Sequence, residues 1–136
     1  MSALTTSEER EQAFILLFEK SFNDEVEPDK IIELANEAES VIPTKYAVKL
    51  FIETCNKLPV IDEFIIKYAK GWSISRISKV ALAVLRLAIC EMRYFEKVPV
   101  GVSINEAVNI CKKYASDDEY AFVNGVLGSF AKEEVK

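Results

Sequence analysis

Histidine is absent from this 136-residue sequence, and glycine, proline, cysteine and tryptophan are scarce, at four, four, three and one. Without imidazole there is no His-metal site, no Ser-His-Asp or Cys-His nucleophile pair, and none of the commonest general base. Cys55, Cys90 and Cys111 are too dispersed for a zinc knuckle or a CxxC redox motif, and their odd number argues against a complete disulfide framework. Buried free thiols in a reducing cytosol are the reading they favour. The longest strongly apolar stretch, Val80 to Met92, is broken by Arg86 and Glu91 and is shorter than the roughly 18 residues of a membrane span. The opening MSALTTSEER lacks the basic and apolar regions of a signal peptide. A cytoplasmic protein with no metal and no cofactor is the expectation.

What is present is the balance of a globular domain. Half the residues are hydrophobic and 29% charged, too apolar for a disordered chain. A chain of this length reads as one domain, residues 1–136, which buries roughly two-thirds of its unfolded surface. The formal charge is −5, unevenly spread: residues 1–40 hold eleven acids and three bases, the remainder 14 bases and 11 acids. That asymmetry permits a basic face on the C-terminal part, against the default of a solvated mixed surface.

The four prolines fall at segment starts or between segments, and no Ser-rich or Gly-rich linker appears. Thr5 or Thr6 with Glu8 or Glu9 makes a capping box that opens a first helix to about Phe22. Pro28, Pro43-Thr44 and Pro59 open three more, and Gly71 is a natural stop. A long helix is expected from about Ser78 to Phe95, after a Ser-rich turn. Val98 to Val102 reads as a turn, Ser103-Ile104-Asn105-Glu106 as a second capping box, and Asp117 or Asp118 as the cap of the last helix. No segment alternates apolar and polar residues over strand length, so the chain reads as all-α with about seven helices.

Two helices have informative faces. In the first, Ala13, Leu16 and Leu17 form one apolar sector, and Phe14, Ile15, Phe18 and Phe22 a second beside it, leaving only a narrow polar arc. A surface helix needs one apolar stripe of little over 100°, so the second sector must be covered by this chain or by a partner. Phe14, Phe18 and Phe22, at i, i+4 and i+8, have the spacing of groove-docking anchors. The Ser78–Phe95 helix is apolar nearly all round except for a ridge of Lys79, Arg86 and Arg93 that should reach solvent. Glu91 lies in its apolar sector, where an unpaired carboxylate is costly. It is expected to pair with a base or to accept hydrogen bonds from another helix. No nucleophile, acid or metal ligand converges with it in the pattern, so binding is favoured over catalysis.

The C-terminal half carries an ordered set of motifs: Trp72-x3-Arg76, Val84-Leu85-Arg86-Leu87-Ala88-Ile89-Cys90-Glu91, Val98-Pro99-Val100, Ile104-Asn105-Glu106-Ala107-Val108 and Phe122-Val123-Asn124-Gly125-Val126-Leu127. In that order and spacing it closely resembles the NusB family of bacterial transcription antitermination factors. Arg10-x2-Ala13-x4-Phe18 fits the family's opening, while residues 27–70 match by helical pattern alone. The resemblance implies two small packed bundles, about 5–70 and 72–134, and a non-enzymatic RNA-binding adaptor. Such proteins pair with NusE, a protein of the small ribosomal subunit. The pair recognises the boxA element of nascent ribosomal RNA and joins an antitermination complex on RNA polymerase.

By the same resemblance Phe18 matches an aromatic position of the NusE-facing surface, and Ser75 and Ala81 lie where many members present acids to that partner. Arg10, Asp118 and Phe122 match positions at or beside the RNA face, with Lys112 and Lys113 as nearby basic candidates. Ile104-Asn105-Glu106 and Glu91 look architectural, and Asn124-Gly125 is expected to serve close helix packing, with surface contact as the alternative. Members commonly have an arginine-rich N-terminus, whereas here Thr6, Ser7 and Glu8 precede a single Arg10, and Gly101 stands where some carry a base. Each lost cation lowers RNA affinity, so weak RNA binding by the chain alone is expected. The alternative is a NusB-like protein-interaction module or homodimer with little RNA binding.

Overall fold

The computed structural model describes residues 6–135, and within them the chain is all helical: α1 (Thr6–Ser21), α2 (Pro28–Glu37), α3 (Lys45–Asn56), α4 (Leu58–Tyr68), α5 (Lys79–Tyr94), α6 (Val100–Tyr114) and α7 (Asp117–Glu134), with a short 3-10 turn at Ile74–Arg76 before α5. The order and number of helices match the sequence expectation. Thr5, one of the two residues proposed to cap α1, lies outside the described residues.

The helix ends follow local chemistry. Thr44 and Ser78 cap α3 and α5 by accepting from the backbone N–H of Ala47 and Ala81. Helix α2 ends in a Schellman turn: Ser40 N–H donates to Ala35 O and Glu39 N–H to Asn36 O, with Glu39 in the left-handed region at φ +55°. Gly71, at φ +83°, reverses the chain after α4, a conformation a side chain disfavours.

Two of the expected caps are wrong. Helix α6 begins at Val100 with Pro99 as its N-cap, because the ring pre-sets φ at the helix entrance and has no N–H to satisfy. Ser103 therefore lies inside the helix, and of the stretch read as a turn only Val98 and Pro99 precede it, while Val100 to Val102 belong to its first turn. Ser116, not Asp117 or Asp118, caps α7, in a reciprocal capping box with Glu119. Both aspartates sit in the first turn, where their charge favours the positive end of the helix dipole.

Helix α5 is the axle of the fold. It packs against α1, α3, α4, α6 and α7, and every residue from Ala81 to Met92 except Arg86 is buried. Its cationic ridge is only partly free: Lys79 and Arg93 are exposed, while Arg86 is gripped by both carboxylate oxygens of Asp62 on α4, at 2.9 and 2.8 Å. Such bidentate pairing fixes geometry as well as charge. The polar side of α1 also holds the chain together. Gln12 donates to Ile42 O at 3.1 Å and accepts from Thr44 N–H at 3.0 Å, and Thr44 Oγ1 donates to Glu9 at 2.7 Å. These bonds fasten the α2–α3 connection to α1. Among the described residues no helix is long and apolar enough to cross a membrane.

Candidate partner and nucleic-acid interface

Four helices meet at Glu91. Its carboxylate is 2% exposed and lies 2.6 Å from Arg10 Nη2; it accepts from Ser103 Oγ at 2.7 Å and from the Tyr46 hydroxyl. The Arg10 guanidinium also stacks over the Tyr46 ring, 4.8 Å from its centroid. Burial and, after it, the bond to Glu91 push the Tyr46 phenol well above its ordinary value of 10.0, so it remains a donor. Glu91 is thus paired with a base as expected, but the base is Arg10. Arg10, matched by resemblance to the RNA face, is buried and spends its charge on α5; a guanidinium held this way has none to offer phosphate.

The second apolar sector of α1 is covered largely by the chain itself. Phe14 is 2% exposed, packed 5.0 Å from the Tyr114 ring at the end of α6, and so is no docking anchor: a side chain in the core cannot enter a partner's groove. Phe18 stacks on Phe14 at 5.8 Å and is met edge-on by Phe22 at 5.0 Å, giving a ladder that grows more open toward the end of α1. Phe18 is half-buried and Phe22 exposed. Lys79 Nζ sits 5.0 Å from the Phe22 ring centroid and donates to Ser21 O at 3.2 Å, tying the open end of the ladder to the start of α5.

Beside that tie runs a groove of about 520 Å³ lined by Lys20, Ser21, Asp24, Ser75, Lys79 and Arg86, among others. On the other side of the first turn of α5 lies a smaller, mostly apolar cleft of about 240 Å³, formed by Trp72, Arg76, Ile77, Ser78, Ala81, Asp118, Glu119 and Phe122. Ile77 belongs to the walls of both. Trp72 is half exposed and its ring lies 5.7 Å from Phe122. Ser78 donates to Glu119, which joins the starts of α5 and α7 and, as the largest cause, holds the Glu119 carboxyl below its ordinary 4.5.

The structure therefore brings Ser75 to the groove, and Ala81, Asp118 and Phe122 together in the cleft. Ala81 is 1% exposed, so it contributes a methyl group to the cleft floor and no protruding contact. Asp118 and Glu119 place carboxylates at the cleft, which repel phosphate but accept from base edges. Lys112 and Lys113 lie at the end of α6. Lys112 Nζ stands 6.0 Å from the Tyr120 ring centroid, whereas Lys113 pairs with Glu11 of α1 at 2.6 Å, and the Tyr114 hydroxyl donates to the same Glu11 oxygen. The bond from Lys113 is the main cause holding the Glu11 carboxyl below its ordinary value, and Glu11 in turn raises the Lys113 ammonium.

Sequence reasoning gave no site role to Trp72, Glu11 or Tyr114. Trp72 was legible as a lone indole just past a helix-ending glycine, where burial is difficult. The Glu11–Lys113 pair spans 102 positions and has no local signal. Asn124 and Gly125, read as packing residues, are exposed, and a side chain built at Gly125 would meet nothing within 4 Å, so they belong to the surface of α7 beyond Phe122.

Residues 7–132 match the sequence model described as the NusB family. The chain is 38% identical over 128 residues to the transcription antitermination protein NusB of Natranaerobius thermophilus, covering 91% of this chain and 92% of that protein. Its fold is similar to that of T. maritima NusB, with a TM-score of 0.84 at 30% identity over 99% of this chain and 96% of that one. It is also similar, with a TM-score of 0.82 at 27% identity over 93% and 95% of the two chains, to a structure of the antitermination factors NusB and NusE in complex with dsRNA. The helical order around a buried α5, the ordered motifs and this near-complete coverage lead to one conclusion: the chain belongs to the NusB family.

Proposed function

We propose that this chain is a transcription antitermination adaptor that pairs with NusE and contributes a secondary surface to boxA in nascent ribosomal RNA, within the antitermination complex on RNA polymerase and in the cytoplasm. The observation that carries this reading is the continuity of two recesses about the first turn of α5 in a chain of this family. The groove beside Lys79 and the Phe18–Phe22 ladder suits a protein partner, with apolar contact at its edge and cations within. The cleft between Trp72 and Phe122 suits an unpaired base, which stacks on the exposed Trp72 ring beside half-buried Phe122 and hydrogen-bonds to Asp118. The division into bundles of about 5–70 and 72–134 belongs to the same proposal, with the groove drawing its walls from both halves and the cleft formed within the second.

Burial of Arg10 and the pairing of Lys113 leave few free cations on this face. Phosphate contacts dominate RNA affinity, so the chain by itself binds RNA weakly and the pair with NusE is the competent species. The test is fluorescence anisotropy of labelled boxA RNA with the chain, NusE and the mixture, at two salt concentrations, against a scrambled RNA. Tighter, sequence-selective binding by the mixture is expected. A mixture no better than NusE alone refutes the adaptor reading and leaves the interaction module or homodimer.

A further inference from the structure

Two adjacent lysines at the end of α6 are in opposite electrostatic states. Lys112 has no carboxylate within ion-pairing distance among the described residues, whereas Lys113 is clamped at 2.6 Å by Glu11. A second donor, the Tyr114 hydroxyl, converges on the same Glu11 oxygen. An ammonium and a phenol aimed at one anionic oxygen are a donor set that an RNA phosphate takes. The donors are accessible: the Lys113 side chain is 61% exposed and Tyr114 40%. The Tyr114 ring is held against Phe14, so the hydroxyl is presented from a fixed base. Glu11 is carried by a different helix, and its side chain is 23% exposed, which leaves it able to swing away.

We propose that Glu11 is a built-in occupant of a phosphate site formed by Lys113 and Tyr114, and that single-stranded RNA must displace this carboxylate to bind there. The inference rests on the RNA-binding reading above and adds a residue that sets its strength. An exposed pair of this kind is weak, so the mask is displaceable and its removal raises affinity by about three- to fivefold. The gain shrinks with salt, because the freed lysine adds one phosphate contact, which steepens the log–log salt dependence by about 0.7 for a single strand.

The experiment titrates labelled oligouridine and labelled boxA RNA with the wild-type chain, Glu11→Gln, Lys113→Ala and the double variant, each checked for an unchanged thermal transition. Glu33→Gln serves as the control: it removes one negative charge from another surface pair, Lys30–Glu33 at 3.3 Å on α2. Glu11→Ala provides a second variant with the same expected direction. The expected result is tighter oligouridine binding by Glu11→Gln, none by Glu33→Gln, and no gain from Glu11→Gln when Lys113 is already alanine. The mask is overturned if Glu11→Gln binds oligouridine no better than wild type, or if the gain persists without Lys113. Failure of the functional reading looks different: boxA and scrambled RNA then bind the NusE mixture equally, whatever Glu11→Gln does to oligouridine.

Discussion

Replacing Arg10 by methionine distinguishes a structural arginine from an RNA contact. The substitution keeps an unbranched apolar stem and removes the guanidinium that lies 2.6 Å from Glu91 and over the Tyr46 ring. A buried carboxylate that loses its only cation is commonly destabilised by about 3–5 kcal/mol. Here Tyr46 and Ser103 still donate to Glu91, so the cost falls at the lower end, about 3 kcal/mol, a shift of roughly 10 °C or slightly more for a domain of this size. Adding Glu91→Gln to Arg10→Met neutralises the stranded charge and keeps one acceptor oxygen for one of the two hydroxyls, while the amide NH2 donates to the oxygen of the other, so the double variant should be more stable than Arg10→Met alone. The assay is urea unfolding followed by circular dichroism, with the four corners of the cycle measured under one buffer. A loss below about 1 kcal/mol for Arg10→Met, or no recovery in the double variant, refutes the view that Arg10 is committed to Glu91. It would return Arg10 to the RNA face.

Three further outcomes follow from local geometry. Ser78→Ala removes the cap of α5, costing about 1 kcal/mol at any pH, and also the main bond that depresses Glu119. Because that carboxyl is held below 4.5 in the fold, its contribution is complete above the ordinary value and is lost as pH falls through the lower folded value. The gap between wild-type and Ser78→Ala urea midpoints should therefore narrow from about pH 6.5 to about pH 3, and a constant gap would count against the Ser78–Glu119 linkage. Desolvation pushes the thiols of half-buried Cys55 and buried Cys111 to about 11 and of buried Cys90 to about 12, so a thiolate-directed reagent at about pH 8 should react slowly with the native chain and readily with all three cysteines in denaturant; fast native labelling of Cys90 or Cys111 would contradict their burial. Glu39→Gly relieves a left-handed side-chain conformation at φ +55° and should stabilise by about 0.5–1 kcal/mol in thermal unfolding, whereas a loss would mean that the Glu39 side chain has a favourable role.

The sites were legible where chemistry is local and opaque where it depends on which surfaces meet. Seven helices could be read because apolar spacing, prolines and Gly71 act within one or two turns. The cap of α7 was misassigned because Ser116, Asp117 and Asp118 are all good capping residues, and only backbone geometry chooses among them. Ser103 was misread for a related reason: a serine three residues before a glutamate has the form of a capping box, but Pro99 had already started the helix. Glu91 was identifiable as a buried acid needing a partner, since a carboxylate among apolar neighbours demands one whatever the fold. That the partner is Arg10 was not identifiable, because α1 and α5 are brought together only by the packing of the whole domain.

Phe14, Phe18 and Phe22 divide the two kinds of information most clearly. By itself the sequence determined an all-helical domain, a central apolar helix, an α1 too apolar for one packing stripe, and motifs that carry the family; each follows from residue type and spacing along one helix. Tertiary structure decided that Tyr114 covers Phe14, that Phe22 stays open beside Lys79, that Arg10 faces inward, and that Glu11 occupies Lys113. Helical periodicity specifies which side chains share a face, whereas the energy and availability of a charge or ring depend on what that face is packed against.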